Sequence, residues 1–231
     1  MNWIISVVGA LISAAIASMF VMWIENWRKP RVTLNMDSPI DKSYTDRPAQ
    51  KARFLRLNVC NIKMSRFLSW MSRSAAIRCN GLITFYHLND GQNLFGRSMQ
   101  TKWGRAQEPL PMIAQIGQHQ IQILDPQRLL PVTYMDIYPG EEEPLDVAVK
   151  FDDEDNCYGW SYDSYFSKPP WRNPDWMINI GRYIIKAEII YSGGRYVYIF
   201  RLINDVPMNA FRLENATPED YKKIGLKSVK N

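Results

Sequence analysis

The chain opens on its longest uninterrupted apolar stretch. From Trp3 to Ile24 there are 22 residues without a charge, and the only polar side chains among them are Ser6, Ser13 and Ser18. An amphipathic helix of a soluble protein would carry a polar stripe at this length. This segment has none, and serine hydroxyls can bond back to carbonyls of their own helix. At about 1.5 Å per residue such a helix matches the roughly 30 Å hydrocarbon core of a bilayer. Trp3 at one end, with Trp23 and Trp27 at the other, occupy the places of interfacial anchors. The expectation is a single-pass transmembrane anchor within residues 1–29. Only Met1-Asn2 precedes it, whereas Trp27-Arg28-Lys29-Pro30-Arg31 follows. The positive-inside rule then puts the N-terminus outside and everything after the helix in the cytoplasm, at the inner (cell) membrane. Ala15-Ile16-Ala17 imitates a signal-peptide cleavage site, but the preceding region lacks the Lys or Arg of a signal peptide. Gly9, Ser13 and Ala17 fall at i, i+4 and i+8, a small-residue face that allows close helix approach and hence homo-oligomers through the helix.

After residue 30 the period changes to two. Arg31 to Met36 alternates as a first strand, and the polar run from Ser38 to Gln50 reads as a linker, so residues 30–50 form an entry segment. Phe54 to Cys60 alternates, with Leu55, Leu57 and Val59 on one face and Arg56, Asn58 and Cys60 on the other. Ala75 to Tyr86 is a second long run, followed by the turn signal Asn89-Asp90-Gly91. Ile121 to Leu124 is short; Leu145 to Phe151 alternates after Pro139-Gly140. Gly181 to Tyr191 and Arg195 to Ile203 flank Ser192-Gly193-Gly194, the pattern of a hairpin. Six or seven strands with no helical segment between them predict a mainly β fold, an antiparallel β-sandwich over residues 51–214. Thr217-Pro218-Glu219-Asp220 then starts a short helix, with Pro at its first position and a capping-box Asp. With Lys222, Lys223, Lys227 and Lys230 it makes residues 215–231 a basic C-terminal helix or tail.

Leu55-Arg56-Leu57-Asn58-Val59-Cys60-Asn61, the run from Ala75 to Phe85, the turn Pro139-Gly140-Glu141 and the hairpin opening at Gly181-Arg182-Tyr183 together resemble immunoglobulin-like sandwich domains. The layout is similar to uncharacterised prokaryotic single-pass membrane-anchored proteins that carry such a domain. The resemblance implies the sandwich fold and no activity. Cys60 and Cys79 lack the Cys…Trp…Cys spacing of the antibody inter-sheet disulfide.

Composition agrees with a β-rich globular domain: aromatic residues are 13% of the chain, and they suit a half-buried pleated surface. The net charge of +5 is unevenly spread. Residues 27–110 carry 15 Lys/Arg against 5 Asp/Glu, residues 111–170 carry 3 against 11, and residues 171–231 carry 10 against 6. Either the basic part lies against an anionic leaflet next to the anchor, or the two halves fold together and neutralise each other. The three cysteines, Cys60, Cys79 and Cys157, form no Cys-x-x-Cys pair and read as buried free thiols.

No motif for catalysis stands out. His87 ends a strand and His119 sits in the polar Gln118-His119-Gln120; neither belongs to a nucleophile elbow, a metalloprotease helix or a phosphate-binding loop. No enzyme, cofactor or catalytic residue is expected. Glu141-Glu142-Glu143 and Asp152-Asp153-Glu154-Asp155 are clustered carboxylates that could hold Ca²⁺ between loops, but their spacing does not match an EF-hand; they read as solvated acidic loops, and no metal site is expected. Two loops are unusual. One carries Tyr158, Trp160, Tyr162, Tyr165, Phe166, Trp171 and Trp176; the other carries Arg97, Lys102, Trp103 and Arg105. So many rings either pack over the sheet as a lid or form a recognition surface. Aromatics interleaved with basic residues can stack bases, but no nucleic-acid motif accompanies them, so nucleic acid is not an expected partner. The expected function is a membrane-anchored, non-enzymatic binding or scaffold protein presenting its domain to a protein partner. The alternative is a tethered sensor whose aromatic loops bind a small molecule or nucleotide.

Overall fold

The computed structural model describes residues 2–43, 50–68, 71–109, 112–116, 119–123 and 126–226, with backbone alone for residues 2, 4–6, 112–116 and 119–123. A long helix, α1 (Asn2–Arg28), precedes a mainly β body. The stretch Val7–Arg28 is long and apolar enough to cross a membrane, and none of it is buried against the rest of the chain.

The strands in chain order are β1 (Val32–Met36), β2 (Ile40–Ser43), β3 (Lys51–Asn61), β4 (Ala76–His87), β5 (Met99–Gln100), β6 (Met112–Ile116), β7 (His119–Ile123), β8 (Met135–Ile137), β9 (Glu142–Phe151), β10 (Cys157–Gly159), β11 (Met177–Ile178), β12 (Arg182–Tyr191), β13 (Gly194–Ile203) and β14 (Arg212–Asn215). They form two antiparallel sheets. The first has the order β1-β3-β9-β10-β11, with β2 beside β3; the second has the order β14-β13-β12-β4-β5, with β8 beside β4. Among the described residues β6 and β7 pair only with each other. A short helix, α2 (Pro218–Lys223), follows the last strand.

Alternate residues of both sheets share one core: Leu55, Leu57 and Val59 from β3, Ile83 and Phe85 from β4, Ile185, Ala187 and Ile189 from β12, and Phe200 and Leu202 from β13. The two sheets therefore face each other. Gly81 continues the inward series of β4 at a point of close approach. A Cβ there would lie 2.6 Å from both Leu145 Cδ1 and Thr101 Oγ1, so the position has room only for glycine.

The alternation of β9 is not one continuous face. Pairing with β3 shifts register between Leu55 and Arg56, where Leu55 faces Ala148 and Arg56 faces Asp146. A bulge of this kind moves every later side chain to the other face. Leu145 and Val147 thus enter the central core, whereas Val149 and Phe151 join Ala52 and Phe54 in a second cluster. Tyr158 of β10 and the aromatic segment after it cover that cluster, the segment through Trp160, Tyr165 and Trp171. The other sheet is covered outside as well: Ile184 and Ile199 pack with Tyr221 of α2.

Several expectations need adjustment. The Ser38–Gln50 linker contains β2, which pairs with the start of β3 through Ile40–Phe54 and Ser43–Lys51. The short strand near Ile121 belongs to a hairpin whose other arm is β6. The C-terminal helix stops at Lys223, before Gly225 at φ +71°, and Lys227 and Lys230 lie outside the described residues.

The helix enters the β body without a free linker. Asn61 is fully buried at this junction. Its Oδ1 accepts from Arg31 N at 3.2 Å, and its Nδ2 donates to Ser74 O at 3.0 Å and to Ile137 O at 3.1 Å. Its backbone carbonyl accepts from Gly140 N, and its N–H donates to Glu141 O. Ser74 N donates to Arg28 O at 2.7 Å and Ile62 N to Arg31 O at 2.9 Å. Arg73 Nη1 reaches the carbonyls of Lys29 at 2.9 Å and Trp27 at 3.4 Å, which caps the end of α1.

Asn61→Ala orphans one N–H and two carbonyls in a buried site, at a cost of roughly 3 kcal/mol. Chemical denaturation of the full chain in detergent, followed by tryptophan fluorescence, should show that loss; an unchanged midpoint would refute the role given to Asn61.

At the other side of the domain, burial opposes ionisation of Asp220. The Arg201 guanidinium at 2.7 and 2.9 Å and the N–H and hydroxyl of Thr217 outweigh it and hold its pKa below the ordinary 3.8. A depressed folded-state pKa gives stability that is present at neutral pH and lost as pH falls through that pKa. Asp220→Asn should therefore destabilise most at pH 7, with the gap to the native chain closing as pH falls below about 4. A gap independent of pH would show that the charge contributes nothing.

Candidate functional site

The rings of the segment after β10 pack mainly on one another. Trp160 meets Phe54 at 5.1 Å, Tyr165 at 5.2 Å and Trp171 at 6.0 Å, each tilted toward an edge-to-face geometry. Trp171 holds φ at +69°, an uncommon conformation for a bulky residue, and its N–H donates to Ser164 O at 2.9 Å. Tyr158 is buried and its hydroxyl donates to Glu154 Oε2 at 2.7 Å. The Tyr162 hydroxyl donates to Arg128 O at 2.5 Å. Burial pushes the Tyr165 hydroxyl well above its usual pKa. Trp176 reaches the central core, and Phe166 is the exposed ring of the series, at 54%.

The second loop is likewise mostly inside. Trp103 is fully buried, with Nε1 donating to Thr133 O. Lys102 is 2% exposed; its Nζ donates to Trp103 O and stands 3.6 Å from Asp146 Oδ2. Asp146 Oδ1 accepts from Arg56 Nε at 2.5 Å. Arg97 and Arg105 lie at the surface. Arg97 stacks on the Trp176 ring at 4.6 Å, and Arg105 pairs with Glu143 at 2.9 Å. The two loops meet at a cavity of about 110 Å³ bordered by Thr101, Lys102, Ser161 and Tyr162.

The acidic loop is engaged by protein donors. Asp152 accepts from Lys51 N, Asp153 from Gln50 Nε2 and Arg172 Nη2, and Glu154 from Tyr158 and Arg172. Among the described residues no group of three or more His, Cys, Asp and Glu is placed to hold a metal ion. The ring of His87 lies 5.9 Å from that of Tyr183, and the His119 side chain lies outside the described residues. Cys60, Cys79 and Cys157 are free and buried; burial pushes the first thiol up to about 11 and the second to about 12. On α1, Ser13 Oγ donates to Gly9 O at 2.9 Å, and Gly9, Ser13 and Ala17 are all exposed.

A site not singled out in the sequence lies where α1 meets the β body. A cavity of about 470 Å³ there is bordered by Trp27, Arg31, Ile62, Lys63, Leu68 and Arg73. Lys63 runs across Gly140, whose φ of +85° needs glycine; a Cβ would collide with Lys63 Cε. Burial, and then the charge of Arg31, push the Arg73 guanidinium below its usual pKa. Among the described residues, Arg73 Nε is buried without an acceptor, as is Arg28 Nε. Arg28 pairs with Glu25 at 3.4 Å, but among the described residues no ion pair involves Arg31, Lys63, Arg66 or Arg73. Exposed apolar side chains stand at the same end: Phe67 at 93%, Tyr138 at 55% and Ile62 at 44%. The sequence signal was the run Ile62-Lys63-Met64-Ser65-Arg66-Phe67-Leu68, apolar and basic residues interspersed between two strands. Compared with known proteins, the chain matches no family model, no curated protein and no solved structure.

Proposed function

We propose that the chain is a membrane-anchored, non-enzymatic binding or scaffold protein that presents an immunoglobulin-like β-sandwich to a protein partner at the cytoplasmic face. The observation that carries the anchor is α1, a helix apolar enough to cross a membrane and unburied over the 22 residues Val7–Arg28. At about 1.5 Å per residue that length reaches about 33 Å, enough for the hydrocarbon core. The cations of Arg28, Lys29 and Arg31 at its end support a cytoplasmic domain. The two facing antiparallel sheets support the sandwich.

A protein partner is favoured over a small ligand by the aromatic loops themselves. Their rings fill the space between them, and the cavity of about 110 Å³ is well below the roughly 300 Å³ at which ligand pockets begin. What they leave at the surface is Phe166, Arg97 and Arg105, the residue types that serve as interface anchors. Gly9, Ser13 and Ala17 on exposed α1 are suited to pairing two copies within the bilayer.

Alkaline carbonate should leave the full chain in the membrane pellet. In spheroplasts, protease added outside should spare the β-domain, and in inverted vesicles it should cut it. Release by carbonate removes the anchor, and cleavage in intact spheroplasts reverses the topology. A photo-crosslinker at Phe166, Arg97 or Arg105 should trap one protein at unit stoichiometry. If all three positions trap nothing while a small-molecule thermal-shift screen gives a hit, the sensor reading replaces this one.

A further inference from the structure

We infer that the cavity at the junction of α1 and the β-domain binds the phosphate of an anionic phospholipid headgroup in the leaflet facing the domain. This rests on the reading that α1 spans the bilayer.

The first support is depth. Trp27 borders the cavity and lies on the last turn of α1. Tryptophans at the end of a spanning helix sit at the level of the headgroups. The cavity therefore stands where lipid phosphates are concentrated, before any charge is considered.

Charge is the second. Arg31, Lys63 and Arg73 come from three separate stretches of chain, and all border the same space. Arg31 and Lys63 are exposed and Arg73 is half-buried, so the three cations flank an open space in which an anion would lower their mutual repulsion. The nearby carboxylates are engaged elsewhere: Glu25 pairs with Arg28, Glu141 Oε2 accepts from Tyr138 N, Asp136 Oδ1 accepts from Arg78 N, and Glu142 meets the Cys60 thiol. Arg73 spends one nitrogen, Nη1, on the end of α1, and among the described residues its Nη2 has no acceptor. A phosphate oxygen is the strong acceptor that a guanidinium in this position lacks.

The third support separates a lipid from a free ion. Ile62, Met64 and Leu68 border the cavity beside the cations. Phe67, in the same 3₁₀ turn as Leu68, is 93% exposed. A soluble anion has no use for this apolar wall. The glycerol and first methylenes of a phospholipid would cover it, and Phe67 would sit among acyl chains. Basic groups with apolar neighbours directly after a spanning helix are also the arrangement that an anionic leaflet attracts.

The test uses the full chain in a neutral maltoside detergent, with native mass spectrometry to count retained lipid. Titration with dioleoyl phosphatidylglycerol should give one retained lipid, preferred about tenfold over dioleoyl phosphatidylcholine. The double variant Arg31→Gln/Lys63→Gln should lose the preference while keeping the native melting temperature. Arg73 is left in place because it caps α1. Arg212→Gln, a surface change on β14, should retain the preference. Equal retention of the two lipids, or a preference unchanged in the double variant, overturns the proposal. So does complete displacement of phosphatidylglycerol by millimolar inorganic phosphate, which would make the site one for a free anion. Failure of the anchor shows separately, as release of the chain by carbonate, whatever headgroup selectivity is read in detergent.

Discussion

Asn61 is the point through which the helix and the β body are joined. An amide buried away from water must find partners for its oxygen and both its hydrogens, or it costs more than an apolar group of the same size. Here the oxygen is satisfied by the entry to β1, and the hydrogens by the start of β4 and the end of β8. Its backbone groups hold the turn at Gly140. Four stretches far apart in sequence thus meet at one side chain. The placement of Lys63 over Gly140 and of Arg73 against the end of α1 depends on that meeting. A long apolar helix followed by a loose linker would leave the domain free to tumble, whereas α1 is tied at its last carbonyls.

Both sheets are covered on their outer faces, which explains why the alternating polar positions are not solvated. Asp146 and Lys150 look like the wet side of β9, yet they are 1% and 2% exposed: Asp146 lies under the outer cover, and Lys150, past the bulge, shares the inner face with Ala148. Asp146 is held by Arg56 and Lys102. Lys150 donates to the carbonyls of Asp155, Asn204 and Val206 and to Asn204 Oδ1. Buried charges persist only when so paired. The aromatic segment and α2 act as lids, and the surface left for recognition shrinks to the loop tips and the end near α1.

Local signals were readable and long-range ones were not. The apolar helix, the long strands, the β12–β13 hairpin and the Thr217–Asp220 cap declare themselves within a dozen residues. β5, β8, β10 and β11 have two or three residues each and no period to display. The bulge opposite Leu55 cannot be read from Leu145 to Phe151, because the alternation is intact in sequence and switches faces only in the pairing. Trp160 could have been lid or interface; its partner Phe54 lies on another strand, so composition could not decide. Of the candidate site, the basic tilt of residues 27–110 was legible, but the convergence of Arg31, Lys63 and Arg73 was not.

The fold also orders charge along the domain. Arg28, Lys29, Arg31, Lys63, Arg66 and Arg73 gather at the end where α1 enters, with Glu25, Asp136, Glu141 and Glu142 as the carboxylates there. The run from Asp152 to Asp155 lies at the opposite end, where β9 leaves its pairing with Ala52. The basic end is the one we propose to touch the bilayer. Spin labels on Phe67→Cys and Asp205→Cys in the full chain, reconstituted in nanodiscs containing phosphatidylglycerol, test it most directly, since the three native thiols are buried. The label at residue 67 should be relaxed by oxygen and shielded from a water-soluble nickel chelate, and the label at residue 205 the reverse. Equal exposure of both labels to the chelate would contradict it.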